Sequence, residues 1–188
     1  FSVTDGRRDA SYYDTLASEA RLASFVAIAI GQVPHSHWFR LGRSLTPTGA
    51  ARALLSWSAS MFEYFMPLIV MRQYPGTLLD ETYSAVIARQ IQYGIQRGVP
   101  WGVSESAYNA QDLERNYQYR AFGVPGLGLK RGLGDDLVVA PYASILAAPI
   151  VPAEVVENLK RLAGEGMAGR YGYYEAIDYT PERNPEGR

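Results

Sequence analysis

Along residues 9–30, "DASYYDTLASEARLASFVAIAI", the positions Tyr12, Leu16, Glu19, Ala23, Val26 and Ile30 recur in steps of four and three. That period predicts an amphipathic helix with Asp9 or Ser11 as its cap and Gly31 as its stop. Glu19 stands inside the stripe, and no basic residue lies three or four places away to neutralise it. Residues 31–52 read as a loop rich in Gly, Pro and Arg. A second helix is predicted over 53–73, apolar on every side and therefore deeply buried. Glu63 is the sole charge within 53–71, and Pro67 removes the amide that would bond its carbonyl, so a kink is expected there. The run has the length of a membrane span, but Ser56, Ser58, Ser60, Glu63 and Pro67 argue for a buried soluble helix. "PGT" at 75–77 turns the chain into a third helix, 78–97, ended by Gly98 and Pro100.

Beyond it, in "WGVSESAYNAQD", Trp101, Glu105 and Asn109 are spaced by four and would share a face of a helical turn. An aromatic platform, a carboxylate and an amide on one surface suit a sugar; a charge near a serine cap is the plainer alternative. The glycine-dense loop "NYQYRAFGVPGLGLKRGLGDD" carries no nucleotide motif. Lys130 is followed by Arg131 where a P-loop needs Ser or Thr. Gly132 falls one place too late to complete a dinucleotide fingerprint with Gly126 and Gly128. Asp136 introduces a helix near 137–149, Pro152 starts another, and "GRYGYYEAIDYTPER" closes as irregular chain or a brief hairpin. Helices joined by long loops, without a parallel-strand pattern or a repeat, predict an all-α domain whose loops converge on a cleft.

Composition narrows the chemistry. A net charge of −1 offers no footprint for nucleic acid or an anionic membrane. The absence of cysteine removes disulfide and thiolate chemistry. His35 and His37 have no third ligand in view, so no metal is expected, and no motif calls for a cofactor. The opening "FSVTDGRRDA" is polar, with neither a signal-peptide pattern nor an initiator methionine, and reads as part of something longer. The 14 tyrosines and three tryptophans are aromatics with a polar tip, able to fill cores beside clefts and to line sugar subsites.

Against that background Glu19, Glu63, Glu105 and Glu175 stand out, each flanked by Tyr or Trp or set on an apolar face. A buried carboxylate is paired, protonated or functional. Arg21, Arg40, Arg52, Arg120 and Arg131 are available for core ion pairs. Glycoside chemistry instead needs two carboxyl groups flanking the scissile bond, one with a raised pKa.

The segments "SYYDTLASEARLASF", "LLSWSASMFEYFMPL", "WGVSESAYNAQDL", "YQYRAFGVPGLGLKRGL" and "GRYGYYEAIDYTPER" closely resemble, nearly end to end and in order, the glycoamylase-like domain of bacterial cyclic β-1,2-glucan synthases. The resemblance implies part of an (α/α)6 toroid and an anomer-retaining transglycosylation, in which linear β-1,2-glucan is cut and closed into a ring. Related domains hydrolyse the same glucan, and a non-catalytic carbohydrate-binding module is the remaining alternative. It implies Glu19 as nucleophile and Glu105 as acid/base, with Glu63 and Glu175 in substrate binding. Candidate substrate-binding residues in the same motifs are Trp57, Trp101, Tyr108 and Asn109, then Tyr119, Arg120, Lys130 and Asp178. The family can protonate the leaving oxygen through a substrate hydroxyl, which would let the two carboxylates stand further apart than the roughly 5–5.5 Å of most retaining enzymes. The family's domain is longer than residues 1–188. It belongs to a synthase of the bacterial inner membrane with glycosyltransferase and phosphorylase-like regions, which would place this domain on the cytoplasmic side.

Overall fold

Two of the predicted helices form with the predicted starts. In the computed structural model, which describes residues 3–8 and 12–184, α3 spans Leu78–Arg97 and α5 spans Pro152–Gly164. Both carry strong local signals. The Thr77 hydroxyl accepts from the Asp80 amide at the start of α3, and Gly98 ends it with φ of 71°, which an L side chain adopts only at a cost. Pro152 opens α5, where a missing amide costs nothing.

The other predicted helices are shortened, and strands take up the remainder. The first helix, α1, is Ala20–Ala29. Residues 12–19 leave the helix because Asp14 and Leu16 bond Gly42 in a backbone ladder, Gly42 N to Asp14 O and Leu16 N to Gly42 O. The expected caps Asp9 and Ser11 lie outside the described residues. A 3₁₀ helix, His35–Arg40, and a hairpin of β1 (Leu45–Thr48) and β2 (Ala51–Leu54) occupy the predicted loop. The predicted helix 53–73 divides into the end of β2, a turn, α2 (Met61–Phe65) and a 3₁₀ turn, Met66–Ile69. Ser60 caps α2 by accepting from the Glu63 amide. The expected break at Pro67 is present: the helix tightens to 3₁₀, and the Glu63 carbonyl accepts from Arg21 instead.

Residues 106–111 are a strand, β3 (Ser106–Gln111), paired antiparallel with β4 (Tyr117–Arg120). The strand β5 (Val138–Val139) and a short α4 (Pro141–Ile145) replace the helix predicted over 137–149. The C-terminal segment supplies the small hairpin β6 (Ala168–Gly169) with β7 (Gly172–Tyr173), and β8 (Ile177–Asp178), which pairs with β5. The expectation of an all-α domain is therefore corrected to helices interleaved, among the described residues, with four two-stranded sheets. At β5 the two valines are buried and too short a run to carry a helical period, and the ladder partner decides between strand and helix.

One core holds these pieces together. Val86 and Ile87 of α3 pack with Leu54, Met61, Tyr64 and Phe65, and Trp101, Val138 and Leu162 extend the cluster. Arg21 lies within it at 1% exposure, and among the described residues its hydrogen-bond acceptors are carbonyls and a hydroxyl, not carboxylates. Its guanidinium donates to the carbonyls of Ala17 (2.7 Å), Ser18 (3.1 Å), Glu63 (3.3 Å) and Tyr64 (2.5 Å), and to the Tyr83 hydroxyl (3.1 Å). Burial lowers its pKa, which the neighbouring tyrosine oxygens partly offset. Gln90, fully buried on α3, clamps the chain before β3 by donating to Val103 O at 2.9 Å and accepting from Val103 N at 3.0 Å.

The glycine-dense loop packs against the turn between β2 and α2. A Cβ on Gly123 would lie 1.8 Å from Ser58 O, and one on Gly128 would lie 2.8 Å from Ala59 N. The close approach of two backbones, not a phosphate, is what these glycines serve. Gly123→Ala in the full-length protein is expected to lower Tm by about 6–12 °C, taking ~3 kcal/mol of overpacking and ~2–4 °C per kcal/mol. Gly164→Ala, where a Cβ meets nothing within 4 Å, should be neutral or slightly stabilising by the same melt.

Candidate active site

Three glutamates from separate elements meet at one place. Glu19 stands at the N-cap position of α1, where the helix dipole favours an anion. Glu63 lies on α2 at 3% exposure. Glu105 sits half-buried just before β3, on a segment held by Gln90 from one side and by Asn158 of α5 from the other. The link between the first two is Tyr13. Its hydroxyl lies 2.8 Å from Glu19 Oε2 and 2.6 Å from Glu63 Oε1.

Their surroundings differ. Both oxygens of Glu63 are taken by the protein: Oε2 accepts from Ser56 Oγ at 2.7 Å and Ser58 N at 2.8 Å, and Oε1 faces Tyr13. Glu63, expected among the substrate-binding residues, is thus held by the protein at both oxygens and lies buried. Glu19 is raised in pKa by burial, opposed by its backbone hydrogen bond and by Tyr13, with Glu63 raising it further. Glu105 is raised by burial and then by the negative charges of Glu19 and Glu63. Among the described residues no hydrogen-bond donor reaches its carboxylate, and every influence on it favours the neutral acid. The tyrosine Tyr142 fixes its backbone by donating to Glu105 O at 2.7 Å.

The C-terminal segment completes the wall beyond Glu105. The Ala107 amide donates to Glu175 Oε1 at 2.9 Å, and the Asn109 amide donates to Asp178 Oδ2 at 3.1 Å, so two carboxylates dock along one edge of β3. Arg183 secures that segment through Asp178 (2.7 Å) and Asp136 (2.6 Å), with its guanidinium 4.8 Å from the Tyr108 ring centroid. Burial opposes ionisation of Asp178, but hydrogen bonds from Arg183, Thr180 and the Asn109 amide outweigh it and hold its pKa below 3.8. Between this segment and β3 lies a cleft of about 450 Å³, within the ~300–1,000 Å³ typical of small-molecule sites. Tyr108, Asn109, Tyr117, Tyr174, Glu175 and Asp178 line it. A second cleft of about 480 Å³ opens beside Glu19 and is lined by Asp14, Ser24, His37 and Leu41.

The expected residues fall at several places: Tyr108, Asn109, Glu175 and Asp178 line the first cleft, and Glu19 lines the second. Trp101, expected to share a helical face with Glu105 and Asn109, is instead 6% exposed and packs on Gly94, where no Cβ would fit. It belongs to the core and offers no platform. Trp57, at 45% exposure beside the Ser58 amide that holds Glu63, is open to solvent. Tyr119 is 63% exposed, and burial followed by the charges of Glu105 and Glu175 raises its pKa, which places it beside both. Arg120 pairs with Asp136 at 3.0 Å, and Lys130 donates to Ala121 O at 2.9 Å. Among the described residues no group of three His, Cys, Asp or Glu side chains is arranged to hold a metal.

Sequence reasoning missed Tyr13. A helix through residues 12–19 turns Tyr12 inward and leaves Tyr13 aside, and only the density of tyrosine hinted at it.

The Glycoamylase family model matches residues 11–185. The chain belongs to this family. Over all 188 residues it is 53% identical to the cyclic β-(1,2)-glucan synthase NdvB of Rhizobium meliloti (strain 1021), of which it spans 7%. Its fold is shared with the endo-β-1,2-glucanase of Talaromyces funiculosus, solved with sophorose. The TM-score is 0.70 at 15% identity, over 96% of this chain and 38% of the other. The endo-β-1,2-glucanase of Chitinophaga pinensis, in a sophorotriose and glucose complex, gives a TM-score of 0.55 at 16% identity, over 78% and 37%. Among the described residues of this Glycoamylase-family chain, no helix is long and apolar enough to cross a membrane.

Proposed function

We propose that this chain carries the catalytic centre of a retaining transglycosylase that cuts linear β-1,2-glucan and closes it into a ring. The observation that carries the reading is the pairing of two unlike carboxyls. Glu105 is a bare, half-buried acid, and Glu19 is a carboxylate hydrogen-bonded at a helix N-terminus. Burial raises both, but only Glu19 has hydrogen bonds that oppose the rise, and that difference supports Glu105 as acid and Glu19 as nucleophile. Glu105 protonates the leaving oxygen, directly or through a sugar hydroxyl, while Glu19 attacks C1. Glu105 then takes the proton of the acceptor hydroxyl that releases the sugar. Tyr108, Asn109, Tyr119, Glu175 and Asp178 supply aromatic and polar contacts along the cleft, with Trp57 as an exposed face. The similarity to NdvB supports a setting in a larger inner-membrane synthase, beside glycosyltransferase and phosphorylase-like regions, with this domain in the cytoplasm as part of an (α/α)6 toroid.

The similarity of fold to two endo-β-1,2-glucanases favours hydrolysis as the second reading, since water and a sugar hydroxyl compete for one intermediate. Incubating the full-length protein with linear β-1,2-glucan separates the readings. Cyclic glucan without new reducing ends is the expected product, whereas new reducing ends mean hydrolysis. Glucan that binds without change, equally in wild type, Glu19→Gln and Glu105→Gln, would leave only a carbohydrate-binding module.

A further inference from the structure

Tyr13 has a role that the catalytic pair alone does not explain. A phenol carries one proton, yet this oxygen stands within hydrogen-bond distance of two carboxylates, 2.6 Å from Glu63 and 2.8 Å from Glu19. It can donate to one of them at a time. Glu63 is fixed, buried and already holding Ser56 and Ser58 on its far oxygen. Glu19 is half-buried at the head of α1 and borders an open cleft. Burial and the two carboxylates hold the phenol far above its ordinary pKa of 10.0, so the proton stays on the oxygen. What can change is the direction in which it points.

We propose that Tyr13 is a positioning residue, a two-position hydrogen-bond donor through which buried Glu63 and half-buried Glu19 share one proton in alternation. The proposal rests on the reading of Glu19 as nucleophile. While Glu19 is ionised, the O–H points to Oε2 and leaves Oε1 for the sugar. Attack forms the bond from Glu19 to C1 and breaks the glycosidic C1–O bond, whose oxygen takes the proton of Glu105. Glu19 is then a neutral ester, and the Tyr13 O–H rotates about its C–O bond to Glu63, which keeps its charge. When the acceptor hydroxyl attacks C1, its proton passes to Glu105 and the ester bond breaks. The O–H returns to the carboxylate that emerges. No proton leaves Tyr13, and nothing is oxidised or reduced. Without the donor, the charge that Glu19 regains on release stands unsupported beside the charge of Glu63.

The test is a double-mutant cycle in the full-length protein with linear β-1,2-glucan as substrate. Phenylalanine keeps the ring, which is 44% exposed, and deletes one oxygen. Tyr13→Phe is expected to lower kcat about 10- to 100-fold, the worth of one hydrogen bond to a charged group, with KM within about twofold. Glu63→Gln should also act on kcat, and the double variant should fall no more than about threefold below the poorer single, because both act through one contact. Losses that multiply in the double variant, a loss confined to KM, or wild-type kcat in Tyr13→Phe would overturn the proposal. If Tyr13→Phe loses its native melt, Glu63→Gln decides alone: a fall in kcat supports the proposal, and a rise in KM with kcat unchanged defeats it. Wild-type turnover in Glu19→Gln would instead remove the catalytic reading beneath it.

Discussion

Glu19→Gly, given azide and a β-linked glucoside with a good leaving group, is expected to yield an α-glycosyl azide. Removing the nucleophile opens a space on the face it occupied, and a small anion entering there displaces the β-linked sugar with one inversion. Without azide, turnover should fall on the order of a thousandfold or more, as when a group that makes the covalent bond is deleted. Glu105→Gly should give the opposite product. Its intermediate still forms on Glu19, azide enters from the acceptor side, and the second inversion restores β. Proton NMR of the azide products distinguishes the anomers. The reverse pairing would exchange the two roles, and wild-type turnover in both variants would end the catalytic reading.

The second large effect is on folding. Arg21→Met is expected to destabilise the fold by ~4 kcal/mol or more, since each buried carbonyl left without a donor costs about 1–3 kcal/mol and the side chain serves those of Ala17, Glu63 and Tyr64, while Ser18 O keeps the backbone amide of residue 21. At ~2–4 °C per kcal/mol, the melt should move down by at least about 8 °C. Arg21→Lys should not recover it, because an ammonium has three donors on one point and cannot span α1 and α2 as the planar guanidinium does. A Tm within about 2 °C of wild type for Arg21→Met would mean that backbone rearrangement or water satisfies those carbonyls at little cost.

How far the sequence disclosed this architecture depends on where each element's information lies. The helices α3 and α5 are written locally, in Thr77, Gly98 and Pro152, and both could be placed from those residues. Ser60 is an equally local cap for α2, but residues 53–71 are apolar enough to suit a buried strand and a buried helix alike, so the break between β2 and α2 was not legible there. Residues 12–19 carry a sound helical period, but Gly42 captures their backbone from outside the segment. Nothing within residues 12–19 announces that partner.

The candidate site divides in the same manner. Glu19, Glu105 and Glu175 were conspicuous as isolated carboxylates in aromatic motifs, and the structure draws them toward one region. The occupation of Glu63 by Ser56, Ser58 and Tyr13 was not legible, because it depends on a turn that helical reasoning had straightened. Trp101 misled for a related reason. Four-residue spacing means a shared face only on a helix, and this segment runs into a strand.

The arginine clamp on the C-terminal segment makes one wall of the cleft beside β3 conditional on acidity. Asp136 and Asp178 balance Arg120 and Arg183, so the cluster is close to neutral while both carboxylates are charged. The lowered pKa of Asp178 contributes stability that is complete above the unfolded value of 3.8 and is lost as pH falls through the folded value. Neutralising that carboxylate leaves Asp136 alone to balance the guanidiniums of Arg120 and Arg183. The apolar packing beneath, with Val86, Leu127 and Val138, carries no charge to lose. Acid would therefore lift Glu175 and its neighbours away from β3 while the body of the domain stays folded, and the molecule would lose one side of its cleft before it loses its shape.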